Sequence, residues 1–201
     1  MRNDNSRKFE AIVVGVSTGG VSALRRLLGP LPADFPVPIL IVSHLLPTAD
    51  SGLADLLDQH CSISVKEADE QDLVKAGSAY LAPANYHLLV ERGGRLALSI
   101  DPPVNYARPS VDVLFESASS VYGPGLIAVV LTGAGSDGSK GLLSVRKRGG
   151  ITIVQDPADA EMNSMPGSAL QEMTPDHVAP LEKIPGLLMG LAQRTKEGSS
   201  T

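Results

Sequence analysis

The chain has 201 residues, 43% of them apolar and only 3% aromatic, enough for one domain around an aliphatic core. Its net charge of -5 speaks against the basic face that a nucleic-acid binder needs, and its single cysteine, Cys61, excludes a disulfide framework and fits a reducing compartment. No stretch is apolar for long enough to span a bilayer, and the polar N-terminus is not a secretory signal.

Residues 1–9 read as a flexible leader. An apolar run over 11–16 predicts a buried strand, and 20–28 has helical spacing, stopped by Gly29-Pro30. Between them stands Gly15-Val-Ser17-Thr-Gly19. Strand, G-x-S-x-G, helix is the order of a nucleophile elbow, in which a sharp turn presents the serine oxygen. Such turns also occur where they only cradle phosphate or close a loop. The glycine spacing fits neither the dinucleotide fingerprint nor the P-loop.

Further along, a β-branched strand over 38–43 ends at His44, followed by a loop and cap over 47–52 and a short helix over 53–60. Half-exposed and short strands follow over 62–66 and 77–82. Runs over 88–91 and 95–100 flank Gly93-Gly94 and predict an antiparallel hairpin. A Pro-rich loop over 101–109 leads to Ser110, which suits the cap of a helix reaching 121. A continuous apolar strand over 125–131 opens into the Gly-rich loop 132–138, then a helix over 139–148. The remainder reads as a strand over 151–154, a polar loop over 156–165, a helix opening at Pro166, a short strand over 177–180, a helix over 184–194 and a flexible tail over 195–201. Strands alternating with helices predict an α/β fold: a doubly wound, mostly parallel sheet with helices on both faces and an added antiparallel hairpin, over 10–194.

Ligands of open α/β sheets sit beyond the carboxyl ends of parallel strands. Three polar residues fall there: Ser17, His44 and Asp137. A hydroxyl, an imidazole and a carboxylate are the set that acyl transfer requires. Ser17 would attack, His44 would take its proton, and Asp137 would fix the imidazole tautomer. The backbone N–H groups of Thr18 and Ala134, with Gly135 as a further choice, are candidates for an oxyanion hole. His60 ends a helix and reads as a surface or packing histidine, and His177 begins a strand, so it points to the wrong edge. His87 follows a strand end and is a candidate for the cleft wall. The usual α/β-hydrolase order, serine then acid then histidine, would instead need His177 with Asp137 or Asp156. Cys61 has no motif around it.

Several ordered motifs give the chain a family likeness: Gly15-Val-Ser-Thr-Gly-Gly20, His44 after an apolar strand, Tyr80-Leu-Ala-Pro83 with His87, Val104-Asn with Arg108-Pro-Ser-Val-Asp-Val-Leu-Phe115, Leu131-Thr-Gly-Ala-Gly-Ser-Asp-Gly138, and Met165-Pro166. In this order the chain resembles the catalytic domain of CheB-type protein-glutamate methylesterases over about residues 10–192. The resemblance implies a cytoplasmic serine hydrolase that demethylates glutamyl methyl esters on chemoreceptor signalling helices, releasing methanol. Glutamine deamidation is a side activity of that family. Ser17, His44 and Asp137 match its catalytic triad; no metal or organic cofactor is implied. Implied partners are methylated receptor helices or a related methyl-accepting protein, and other chemotaxis-type signalling proteins, without nucleic acid or membrane insertion. The family usually carries a receiver domain. The chain has no room for one before Ala11, so it reads as free-standing or as a fragment. Departures include His44-Leu-Leu-Pro47, Ala134 and Gly167, and Tyr106-Ala107 where a basic residue is usual before Arg108. Arg108 is a candidate for steering acidic substrate segments or holding the Asp137 loop; the bland alternative is a surface pair with Asp112. Rival readings are a non-catalytic adaptor in a chemotaxis-like complex and a small-molecule esterase.

Overall fold

The computed structural model describes residues 8–44 and 52–197. Among them are nine strands and six α-helices, in the order β1 (Ala11–Val16), α1 (Gly20–Leu28), β2 (Ile39–Ser43), α2 (Gly52–Asp58), β3 (Ser64–Glu67), β4 (Ser78–Leu81), β5 (His87–Glu91), β6 (Arg95–Ser99), α3 (Val111–Tyr122), β7 (Leu126–Val130), α4 (Ser139–Lys147), β8 (Ile151–Gln155), α5 (Ser164–Glu172), β9 (His177–Ala179) and α6 (Ile184–Glu197). Seven strands form one parallel sheet in the order β3-β4-β2-β1-β7-β8-β9, and β5 and β6 form a separate antiparallel pair. This is the expected doubly wound sheet with its hairpin.

Aliphatic residues explain the layering. Every residue of β1, β2, β7 and β8 is buried, as central parallel strands covered on both faces require. Alternate side chains serve two cores. Ile12, Val14 and Val16 join Leu24 and Leu27 of α1 and Leu188 of α6 on one face. Ala11 and Val13 join Leu114 and Phe115 of α3 and Leu142 of α4 on the other, where the hairpin packs through Leu88 and Leu96.

Several boundaries shift from expectation by a residue or two, and four of the differences have a physical reading. Phe9 is buried in the first core, so packing begins inside the predicted leader. The helix placed at Pro166 starts earlier, at Ser164, with Pro166 still within its first turn, where a missing N–H costs nothing. The strand placed over 125–131 is preceded by a 3₁₀ turn, Gly123–Gly125, containing Pro124. The last helix continues to Glu197, through residues expected in the flexible tail. The predicted loop over 47–51 lies outside the described residues.

Gly15 and Gly19, read together as turn residues, have different duties. Gly19 has φ 80° and is the N-cap of α1, so it alone makes the turn. Gly15 lies within β1, and a Cβ there would collide with the side chain of Val111, the first residue of α3. Its bare face lets the N-terminus of α3 approach the sheet at the end of β1. Gly15→Ala is therefore expected to cost about 1–3 kcal/mol in urea denaturation, as overpacking does. Adding Val111→Ala should recover part of that loss, because the two side chains compete for one volume. Purely additive losses would show that the two positions do not meet.

Candidate active site

The register Val16↔Ser43 between β1 and β2 places Ser17 and His44 side by side at the sheet's carboxyl edge. The His44 N–H donates to Val16 O at 3.1 Å, and the Ser17 N–H donates to Thr132 O at 3.0 Å, tying Ser17 to the end of β7 as well. Strand β1 lies between β2 and β7. His44 must therefore reach across the end of β1 to meet the loop after β7, and it does: its Nε2 lies 2.9 Å from Oδ2 of Asp137. The ring thus spans the strand that delivers Ser17, with Nε2 engaged by Asp137. Asp137 can only accept, so the bonded Nε2 carries the hydrogen.

Asp137 is buried, with 4% of its surface exposed. Its Oδ2 also accepts the Val111 N–H at 2.7 Å. Oδ1 accepts from Asn105 Nδ2 at 2.9 Å, Ser110 Oγ at 2.9 Å and the Asp112 N–H at 3.2 Å. Ser110 occupies the N-cap position of α3 but makes no side-chain cap bond to it. Asp137, from another loop, takes the first N–H groups of that helix instead. Burial alone would raise the Asp137 carboxyl; the donors His44 and Asn105 and the Val111 and Asp112 N–H groups outweigh it and hold the carboxyl below its ordinary range.

Asn105, Ser110 and Asp112 belonged to a motif quoted for family likeness, but their part in the site was not read from the sequence. The Asn105 amide donates to Asp137 and also to Asp112 Oδ2 at 2.8 Å, while Asp112 Oδ1 accepts the Gly141 N–H at 2.7 Å. One amide nitrogen thus serves two buried carboxylates. Burial, with the nearby Asp137 charge, raises Asp112 against the pull of the Gly141 N–H. The two acids are pushed apart, Asp137 downward and Asp112 upward. The available signal was polar residues clustered in a Pro-rich loop, which does not say where they point.

The oxyanion candidates sit on the same edge. Among the described residues, no acceptor takes the Thr18 or the Ala134 N–H. Thr132 fixes the relation between their loops: its Oγ1 donates to Thr18 O at 2.9 Å and accepts the Met162 N–H at 2.9 Å. Its own N–H donates to Gln155 Oε1 at 2.8 Å. A Cβ on Gly133 would lie 2.8 Å from the Ser17 Cβ and would strike Met165, so these two loops close on each other only through glycine.

A cleft of about 530 Å³ is lined by His44, by 105–109 on one wall and by 134–137 on the other. Ser17 stands outside that lining, half-exposed on the β1 side of His44. Arg108 lines the cleft but makes no pair with Asp112. It donates through Nη1 to the Ile100 and Asp101 carbonyls at 2.8 and 3.1 Å, so it braces its own loop. His87, expected in the cleft wall, is not there. It is buried, accepts the Ser110 N–H on Nδ1 at 3.2 Å, and its Nε2 lies 3.2 Å from Pro102 O. It supports the 102–110 segment from behind, because the hairpin strand it opens packs on α3. His60 is exposed against Leu56 O, a surface histidine as expected, and His177 begins β9 at the other strand end, away from the edge. Cys61 is half-buried; burial, then Asp58, pushes its thiol up, which removes thiolate character.

With this geometry, the family model of the CheB methylesterase matches residues 12–188. The chain belongs to the CheB methylesterase family. It is 47% identical over 189 residues to a Leptospira interrogans relative whose provisional name is protein-glutamate methylesterase/protein-glutamine glutaminase, spanning 94% of this chain and 98% of that one. A Trichodesmium erythraeum protein named for the same two activities is 43% identical over 180 residues, where the chain spans about half of the relative, 51%. The crystal structure of the Thermotoga maritima CheB methylesterase catalytic domain superposes with a TM-score of 0.87 at 37% identity, covering 92% of this chain and 99% of that one. Among the described residues, no helix is long and apolar enough to cross a membrane.

The depressed Asp137 carboxyl has a consequence for stability. Its folded-state value lies below the unfolded value of about 3.9, so its contribution is complete above that pH and is lost as pH falls through the folded value. Asp137→Asn is expected to be less stable than wild type by about 1–3 kcal/mol near neutrality. The gap should narrow as wild type is acidified below about pH 4, read from urea denaturation at a series of pH values. A gap that stays constant with pH would show that the ionised form is not what the α3 N-terminus holds.

Proposed function

We propose that this CheB-family chain hydrolyses glutamyl methyl esters on methyl-accepting chemoreceptor helices in the cytoplasm, with Ser17, His44 and Asp137 as its catalytic residues. The observation that carries the reading is the His44–Asp137 hydrogen bond laid across the strand end that delivers Ser17. The names of the relatives supply the substrate class. The lone free Cys61 is in keeping with the reducing cytoplasm.

The chemistry follows from the side chains. His44 Nδ1 removes the Ser17 hydroxyl proton as Oγ forms a bond to the ester carbonyl carbon. The carbonyl oxygen becomes an oxyanion, met by the Thr18 and Ala134 N–H groups, each such donor contributing about 3–4 kcal/mol. The imidazolium, steadied by Asp137 at Nε2, returns the proton to the departing methoxide. Methanol leaves and an acyl-serine remains. Water, activated by the same imidazole, then breaks the acyl bond to give the glutamate carboxylate and free Ser17. A glutamine side chain follows the same path with ammonia as the leaving group, which is the deamidase activity in the relatives' names. Arg108 holds one cleft wall in place by bracing residues 100 and 101.

Methanol release from a methylated chemoreceptor cytoplasmic fragment tests the reading. Wild type is expected to release methanol, and Ser17→Ala to lose about 10⁴-fold or more in rate while keeping its thermal unfolding midpoint. A serine-directed phosphonate should label wild type and not the variant. Methanol release retained by Ser17→Ala would remove Ser17 from the mechanism; a wild type that binds the fragment but is never labelled would favour an adaptor.

A further inference from the structure

Tyr106 stands where the backbone asks for glycine. Val104 and Ala107 exchange both backbone hydrogen bonds, Val104 N–H to Ala107 O at 3.1 Å and Ala107 N–H to Val104 O at 2.9 Å. Asn105 and Tyr106 are thus the two residues of a tight hairpin loop, with φ of 50° and 62°. Two successive positive φ values define a type I′ turn, whose preferred sequence is Asn-Gly. Asn105 suits its place. A tyrosine in the left-handed region is strained, since its Cβ crowds the backbone there.

Among the described residues, no hydrogen bond of the Tyr106 side chain offsets that cost. The Tyr106 side chain is fully exposed, at 104% of its reference area, in a chain where aromatics are scarce. The turn beneath it is nevertheless held firmly, because the Asn105 amide is bonded to both Asp112 and Asp137. The ring is therefore carried at the rim of the cleft that holds His44, one residue from the group that touches the Asp137 carboxylate. Ile100 and Val104, on the same segment, are also exposed. A strained, exposed aromatic on a fixed support beside a reactive cleft is a feature kept for something outside the chain.

We infer that Tyr106 is a specificity-determining residue that packs against the helix presenting the ester. This rests on the proposed methylesterase reading. The scissile side chain passes the cleft mouth to reach Ser17 beside His44, while its helix stays outside. On a helix, the side chains three and four residues away lie about 5–6 Å from the one that enters, so they meet the rim. The face of the Tyr106 ring covers their aliphatic stems, excluding water from the cleft mouth and fixing how deep the ester reaches. The ligand class is a folded helical segment with a neutral ester and long-stemmed neighbours.

The test uses steady-state methanol release from a methylated receptor cytoplasmic fragment, with thermal unfolding of each variant. Tyr106→Gly relieves the turn, so its unfolding midpoint should match or exceed that of wild type. Its KM should rise about tenfold, the loss expected when an aromatic contact is removed, with kcat changing less. Tyr106→Phe keeps the ring and should stay within about twofold of wild type in KM. A lower unfolding midpoint in Tyr106→Gly would show that the ring serves the fold, and an unchanged KM that it does not touch the substrate; either overturns the inference alone. No methanol release from wild type would overturn both the inference and the reading beneath it.

Discussion

A buried carboxylate at the start of a helix organises this molecule. Asp137 comes from the loop after β7, yet its oxygens receive the first two N–H groups of α3, a hydroxyl, an amide and an imidazole. Burying an ion costs several kcal/mol, more than any single bond returns. Hydrogen bonds to a charged group contribute about 1.5–3 kcal/mol each, so five of them exceed the cost of burial. The net direction agrees, since the carboxyl is held below its ordinary range despite burial. The same charge that caps α3 fixes the hydrogen of His44 on Nε2 and leaves Nδ1 without a hydrogen to act as acceptor.

That arrangement demands close approach, and glycine supplies it. With Gly15 bare, Val111 settles against β1 and the α3 N-terminus reaches Asp137. Gly138, with φ 96°, faces the same Val111, so α3 is seated between two glycines. Gly133 does the equivalent on the other side, where the loop after β7 is squeezed between Ser17 and Met165. The site is thus a packing solution as much as a chemical one. The chain's aliphatic core is built up to the residues that touch the proposed catalytic groups.

Asn105 joins stability to recognition. It keeps two buried acids from facing each other without a donor and anchors the tight turn that carries Tyr106. Behind it, His87 and Arg108 brace the segment through backbone atoms of Pro102, Ile100 and Asp101. Arg108 lines the cleft while bracing its own loop, and His87, a sequence candidate for the cleft wall, lies behind that wall and supports it. A loop with little regular structure is made rigid by side chains that satisfy its carbonyls and N–H groups.

Local sequence determined much of this protein. The apolar runs placed the four central strands of the sheet, because residues buried on both faces have no choice but to be aliphatic. Strand ends of a parallel sheet share one edge, which brought Ser17, His44 and the Asp137 loop together before any coordinates. What the sequence could not show was direction. It could not tell that Gly15 serves α3 rather than the turn, that Ser110 caps nothing of its own helix, or that His87 points inward. Those outcomes depend on residues 23 to 96 positions away, which meet only once the helices pack. Periodicity reports which face of an element is buried. Only the tertiary structure decides which polar atom on that face finds which partner, because each buried donor and acceptor must be satisfied by whatever the packing brings beside it.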